Sequence, residues 1–300
     1  MLIDRVHYIG QIVLLTGISI LKVQESVFPM ADSQTVASSG PDFTAWDACV
    51  KAHVKQGEIA GISLNTVDYS GEDDPNFSRF VKSLETATTS GLGKDAEYSL
   101  WINAYNALAI KTVTDNPCKK KYMGLMNKKI EGIKDVGSLA KTVWKRPAGV
   151  VGGRMVSLDD IENEELRNPK DFPADPRLHA CIVCASVSCP DVAMKAYMPE
   201  TLEEDMSENL RAFLRNTKKG LSLNKSTGVL TLSKIFQWFA NDFIKTGQSS
   251  VVEYLLPFIP SEDQAWIAEN KDKIKLEYFD YNWSLNGISP GEKGTGKGKC

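Results

Sequence analysis

Histidine is scarce in this 300-residue chain: there are three, and only His179 lies beyond residue 53. Chemistry that depends on imidazole therefore has one central candidate. Net charge is also small. Thirty-five basic residues against 38 acidic ones leave −3, too weak an imbalance to imply nucleic acid or a charged surface as partner. Six cysteines are too sparse for a disulfide framework, and the expectation is reduced thiols. No internal repeat is visible. The apolar run from Ile9 to Leu21, preceded by Arg5 and diluted by Gln11, Thr16 and Ser19, is too short for a comfortable membrane span. It has the length of a signal-peptide core, yet no small-x-small site follows closely, and Thr35-Val36-Ala37 lies far downstream. Two readings follow: the secretory pathway if residues 1–29 are a signal sequence, the cytoplasm if translation starts at Met30.

The composition that remains, 42% apolar and 24% charged, is that of an ordinary soluble globular protein. Apolar spacing predicts a helix over 43–54 and an extended segment over 59–69. Asp74-Pro75 opens a second helix, with aspartate as N-cap and proline at the first helical position. A long helix follows from about Asp95 to Asp115, stopped by Asn116-Pro117. Residues 144–158 read as a hairpin turning at Gly152-Gly153, and Ser157 then caps a short acidic helix with Asp160 three residues on. An amphipathic helix over 200–216 leads to a second hairpin, 221–223 against 229–232. Ser233 caps the aromatic segment KIFQWFANDFI, read as a core helix. Helical segments over 251–257 and 263–269 and a strand over 274–279 complete the order. Hairpins without regular βαβ alternation make this an α+β protein: one domain of helices packed on a small mixed or antiparallel sheet. Its bounds are 42–286, between a signal-like or superfluous segment 1–41 and a disordered Gly/Lys-rich tail 287–300.

Two places could carry chemistry. The long helix holds Asn103 and Asn106, three apart and hence neighbours on one face. Asparagine is a poor mid-helix residue, and a buried amide without partners costs about 1–3 kcal/mol, so both need a reason. They either bond to the backbone of a neighbouring segment, or one orients a catalytic group or donates to a developing oxyanion. The second place is DPRLHACIVCASVSCPD, Asp175–Asp191. Its apolar stretch Leu178–Ala185 reads as a buried strand, which puts His179, Cys181 and Val183 on one face and Ala180, Ile182 and Cys184 on the other. Opposed cysteines argue against zinc, and no helix N-terminus supports a redox Cys181-x-x-Cys184. A nucleophilic pair is open to His179 with Cys189, the thiol in the loop after the strand, or with Cys184. Buried cysteines that merely fill the core are the plain alternative. Among the acids of LDDIENEELR, Glu162 and Asp160 cannot be ranked by pattern.

The motifs WINAYNA (101–107), SLDDIENEELR (157–167), DPRLHACIVCASVSCP (175–190), LSKIFQWFANDF (232–243) and YNWSLN (281–286) resemble, in order, the family named domain of unknown function 547. Val67-Asp68-Tyr69 resembles its opening segment. The matching positions include Asn103, Asn106, Glu162, Arg167, His179, Cys184, Cys189, Asp242 and Tyr281. Two positions depart: Asn163 stands where the family often has histidine, and Asn282 where it often has aspartate. At the level of fold the order of parts also resembles papain-like and transglutaminase-like enzymes. That likeness implies a lost or relocated nucleophile, because the helix start offers Ser99 and Asn103 and no cysteine.

The expectation is a binding or scaffolding domain of unknown molecular function. The alternative is a Cys/His-type hydrolase or acyl transferase with His179 as base, Asn103 or Asn106 as the amide, Cys189 or Cys184 as nucleophile and Glu162 in support. A thiol redox protein is the second alternative. No cofactor or metal is expected. Nothing argues for nucleic acid or an integral membrane span, and a protein partner stays open.

Overall fold

The long helix is the axis on which the rest is hung, and its sequence explains why. In the computed structural model it is α3, Lys94–Thr114, and every residue from Tyr98 to Ala109 is buried. A helix with no polar face has to be enclosed on all sides. The structure describes residues 41–70, 74–119, 128–138 and 141–288. By its contacts the chain divides into units 1–38 and 39–300, and all described residues belong to the second. The expectations for residues 1–40 and for the tail after 288 lie outside the described residues.

Ahead of α3 stand α1 (Thr44–His53), β1 (Val54–Ile59), β2 (Ile62–Asp68) and α2 (Pro75–Leu84). Asp74 caps α2 as expected, accepting from the backbone N–H of Asn76, and its other oxygen meets His53 Nε2 at 2.8 Å. One carboxylate thus starts one helix and ties down the end of another. β1 was not anticipated. It is an edge strand, VKQGEI, mostly exposed, so it lacks the apolar alternation that betrays a strand. Its turn puts Ala60 (φ 53°) and Gly61 (φ 75°) in the left-handed region, the geometry of a tight two-residue hairpin.

After α3 come β3 (Cys118–Lys119) and β4 (Lys128–Lys129), then the hairpin β5 (Pro147–Val151) and β6 (Arg154–Ser157), turning where expected. Ser157 and Asp160 form the anticipated reciprocal cap of α4 (Leu158–Asp160). That helix does not simply continue, however: Ile161–Leu166 widens into a π-helical turn. α5 (Leu202–Arg215) precedes the hairpin β7 (Leu221–Asn224) and β8 (Val229–Leu232). The aromatic segment is not one helix. It splits at Phe239 (φ −108°, ψ 21°) into α6 (Lys234–Trp238) and α7 (Ala240–Ile244). α8 (Val251–Leu255), α9 (Ser261–Glu269) and β9 (Lys275–Tyr278) follow, β9 running parallel to β8. Finally β10 (Gly287–Ile288) lies parallel to β2.

The class is α+β. Instead of one sheet, the described strands form four small ones, two of them three-stranded, β1-β2-β10 and β7-β8-β9. Two apolar clusters fill the interior, one around α1–α3 and the other between α5 and the β7-β8-β9 sheet with α6–α9. Among the described residues no helix is long and apolar enough to cross a membrane.

The largest departure from expectation concerns Leu178–Ala185, which is not a strand. Asp175 accepts from the N–H of Arg177, Pro176 occupies the first helical position, and Pro176–Ala180 forms a 3-10 helix. Beyond it the chain is irregular, with Ala185 at φ 56°. The reason is the pair of α3 asparagines. Asn106 donates from Nδ2 to Cys181 O (2.9 Å) and accepts at Oδ1 from Val183 N (2.8 Å). Asn103 does the same for Tyr197 O (2.7 Å) and N (3.1 Å). Each amide serves as a peptide unit would in a ladder, so buried loop backbone is satisfied without a neighbouring strand. Alternating faces therefore do not apply to His179, Cys181 and Cys184.

Candidate functional site

A cavity of about 400 Å³ opens where four segments converge. The π-helical turn brings Glu162 and Asn163, the 3-10 helix brings His179, the α6–α7 break brings Trp238 and Phe239, and the last irregular segment brings Tyr281 and Trp283. Tyr105 of α3, Trp144, Ile182, Ile235 and both Cys184 and Cys189 line it too. The wider turn is a local consequence of Arg167 N bonding five residues back to Glu162 O, at 2.9 Å. Among the described residues no group of three or more His, Cys, Asp or Glu side chains could hold a metal ion.

Electrostatics at the cavity floor centre on Asp242 of α7. Arg167 clamps it in two-pronged fashion, Nε to Oδ2 at 2.6 Å and Nη2 to Oδ1 at 3.1 Å, and His179 Nε2 lies 2.9 Å from Oδ2. Burial alone would raise the Asp242 pKa. Hydrogen bonds from His179 and Arg167, with the Arg167 charge, more than reverse that and hold it well below the usual carboxylate range. For His179 burial dominates and lowers the pKa despite Asp242. The imidazole is therefore neutral at pH 7. Because an ionised carboxylate only accepts, Nε2 carries the proton and Nδ1 keeps a lone pair. That Nδ1 makes no hydrogen bond among the described residues, on a ring that lines the cavity. The ring is fixed by stacking on Phe239, centroids 4.1 Å apart.

Glu162 is the unusual acid. Burial pushes its pKa up to about 7, with Asp159 and Asp242 adding to the rise, while the Arg167 charge and a hydrogen bond from Tyr105 oppose it. A carboxyl poised near neutrality in a cavity can both give and take a proton. Arg167 Nη1 also donates to the side-chain oxygen of Asn163. Asn163 thus sits within the cavity, whereas Asn282 makes a turn, accepting from Ser284 N, and takes no part.

Of the residues singled out by sequence, Glu162, His179, Cys184 and Cys189 meet in this cavity. Asn103 and Asn106 do not: both ends of each amide bond to backbone, and neither residue lines the cavity. The expectation of reduced thiols also fails. Cys184 and Cys189 form a disulfide, Cα atoms 6.4 Å apart, so in this state neither sulfur is a nucleophile. Cys181 is fully buried, its thiol pushed up to about 12.

Sequence reasoning missed the tryptophans. Trp144, Trp238, Trp283 and Tyr281 form one continuous aromatic wall: Trp238–Trp283 centroids lie 5.8 Å apart and nearly parallel, Trp144–Trp283 5.6 Å edge-on, Tyr281–Trp283 4.4 Å. Trp238 is 47% exposed. The signal was present in QWFAND, where a tryptophan four residues before an aspartate breaks the pattern of a core helix. Gly132 helps seat the wall, since a Cβ there would stand 2.3 Å from the carbonyl oxygen of Trp283.

No curated protein and no solved structure matches the chain. Residues 89–214 match the model of the family described as "Protein of unknown function, DUF547". The matched segment holds Glu162, Arg167, His179 and the disulfide, while Asp242, Trp238 and Trp283, which complete the cavity and its floor, lie beyond it. Over residues 89–214, then, the chain is similar to the DUF547 family.

Proposed function

We propose that this is a binding domain whose ligand, a small molecule, occupies the aromatic-walled cavity above Glu162 and His179. One observation carries the reading: polar groups with unspent bonding capacity, Glu162 and His179 Nδ1, converge on a preformed concave site lined chiefly by aromatic rings. Scaffolding accounts for Asn103 and Asn106, whose nitrogen and oxygen are both bonded to backbone away from the cavity, and does not account for the cavity. Ligand-observed NMR on a fragment set tests it. Fragments should bind the wild-type chain and lose binding in Thr142→Trp, a substitution at an exposed rim position that plugs the mouth. Binding that ignores Thr142→Trp would refute the reading.

A second reading, acid–base catalysis on that ligand, is favoured by the Glu162 carboxyl near neutrality beside a neutral imidazole oriented by Asp242. In hydrolysis His179 Nδ1 would take the proton of an attacking water and Glu162 would supply one to the leaving group. The disulfide leaves this route without a thiolate. Turnover of ester or amide probes that survives Glu162→Gln and His179→Ala undiminished would exclude it.

A further inference from the structure

Six aromatic side chains line the cavity: Tyr105, Trp144, Trp238, Phe239, Tyr281 and Trp283. The charged side chains that line it are Asp159, Glu162 and Arg167. Arg167 is not available to a ligand as an anion receptor, because its guanidinium is engaged by Asp242 through two bonds and by Asn163 through a third. Its charge is also balanced by Asp242. What remains unbalanced is acidic, contributed by Asp159 and Glu162. An anionic ligand would meet two carboxyls, while the one cationic side chain lining the cavity is committed to Asp242 and Asn163. A purely apolar ligand would suit the rings and leave a buried carboxyl facing hydrocarbon, at a desolvation cost.

The rings themselves indicate a third kind of occupant. Of the three cation–π contacts among the described residues, two fall on rings of this cavity: Lys134 Nζ lies 3.7 Å from the centroid of Trp283 and Arg167 Cζ 4.9 Å from that of Phe239. Electron-rich faces, a carboxyl at the floor and a concave shape together make the setting in which an ammonium group is held by aromatic faces and one counter-charge.

Building on the small-molecule reading above, we infer that the ligand is an organic cation, an amine or quaternary ammonium, with its charged head caged by Trp144, Trp238, Tyr281 and Trp283 over Glu162 and Asp159. A cation there stabilises the ionised form of Glu162, so binding near neutral pH is accompanied by release of a proton from that carboxyl. The groups that set its titration are Arg167 on one side and Asp159, Asp242 and the Tyr105 hydroxyl on the others.

The test compares phenyltrimethylammonium with tert-butylbenzene, its uncharged isostere, by titration of the full chain with tryptophan fluorescence and calorimetry. The cation is expected to bind roughly tenfold tighter than the isostere, the advantage a caged charge confers. Its affinity should rise several-fold from about pH 6 to about pH 8 as Glu162 ionises, while that of the isostere stays level. In Glu162→Gln the preference for the cation should shrink and the pH dependence disappear. Equal affinity for the two probes, or a cation preference untouched by Glu162→Gln with Asp159→Asn, would overturn the assignment. If tert-butylbenzene binds and Thr142→Trp blocks it while the cation does not bind, the cation assignment falls and the small-molecule cavity stands. If neither probe binds and no fragment does, both fall.

Discussion

Two sets of polar residues, one fully buried and one at the edge of a cavity, do opposite things here. On α3, Asn103 and Asn106 are fully buried with both ends engaged: each amide donates once and accepts once, to backbone. At the cavity floor His179 is buried and Glu162 half-buried, yet the imidazole keeps a free lone pair and the carboxyl sits near neutrality. A buried polar side chain is thus no sign of function in itself. What separates brace from site is bonding capacity left over after folding.

That contrast predicts its largest effect at the brace. Asn106→Ala leaves Cys181 O and Val183 N buried without partners, and should cost about 4 kcal/mol of unfolding free energy in a denaturant titration. A loss below about 1 kcal/mol would mean the loop finds other partners and the brace is dispensable.

At the site the sign reverses. The Glu162 pKa is raised in the folded chain to about 7 from an ordinary 4.5. Its contribution to stability is full below the unfolded value and is lost as pH rises through 7. Glu162→Gln removes that penalty, so its stability relative to wild type should improve by up to roughly 3 kcal/mol between about pH 5 and about pH 8. Melting curves at both pH values check this. A pH-independent difference would place Glu162 among the spent groups.

The disulfide belongs to the cavity wall and closes a short loop. Replacing Cys184 and Cys189 by serine should cost about 2 kcal/mol on chain-entropy grounds, read as a lowered denaturation midpoint. A smaller loss on stability, with ligand binding abolished, would shift its role from staple to wall. Smallest of all is Trp238→Ala, at a half-exposed ring: under about 0.5 kcal/mol of stability, with phenyltrimethylammonium binding weakened several-fold.

Local rules were legible wherever the signal was local. Asp74-Pro75, Ser157 with Asp160, Gly152-Gly153 and Ser233 each marked a helix start or a turn where one is found. Asp175-Pro176 carries the same signature as Asp74-Pro75 and starts a 3-10 helix in the same way. The apolar run after it reads more strongly as a strand, because a short buried segment has the same composition either way. The Phe239 break and the π-helical turn left no comparable trace, although the bond that widens the turn, Arg167 N to Glu162 O, spans only five residues.

The sequence by itself determined the α+β class, most helix starts and two of the hairpins, and the likeness of residues 89–214 to the DUF547 family, because propensity, capping and motif spacing are written into neighbouring residues. Tertiary structure alone decided which buried polar groups are satisfied. It separated Asn103 and Asn106 from the cavity, paired Cys184 with Cys189, and gathered Trp144, Trp238 and Trp283 from distant segments around Glu162. Hydrogen-bond satisfaction and desolvation depend on neighbours in space, and those become fixed only when the chain has closed on itself.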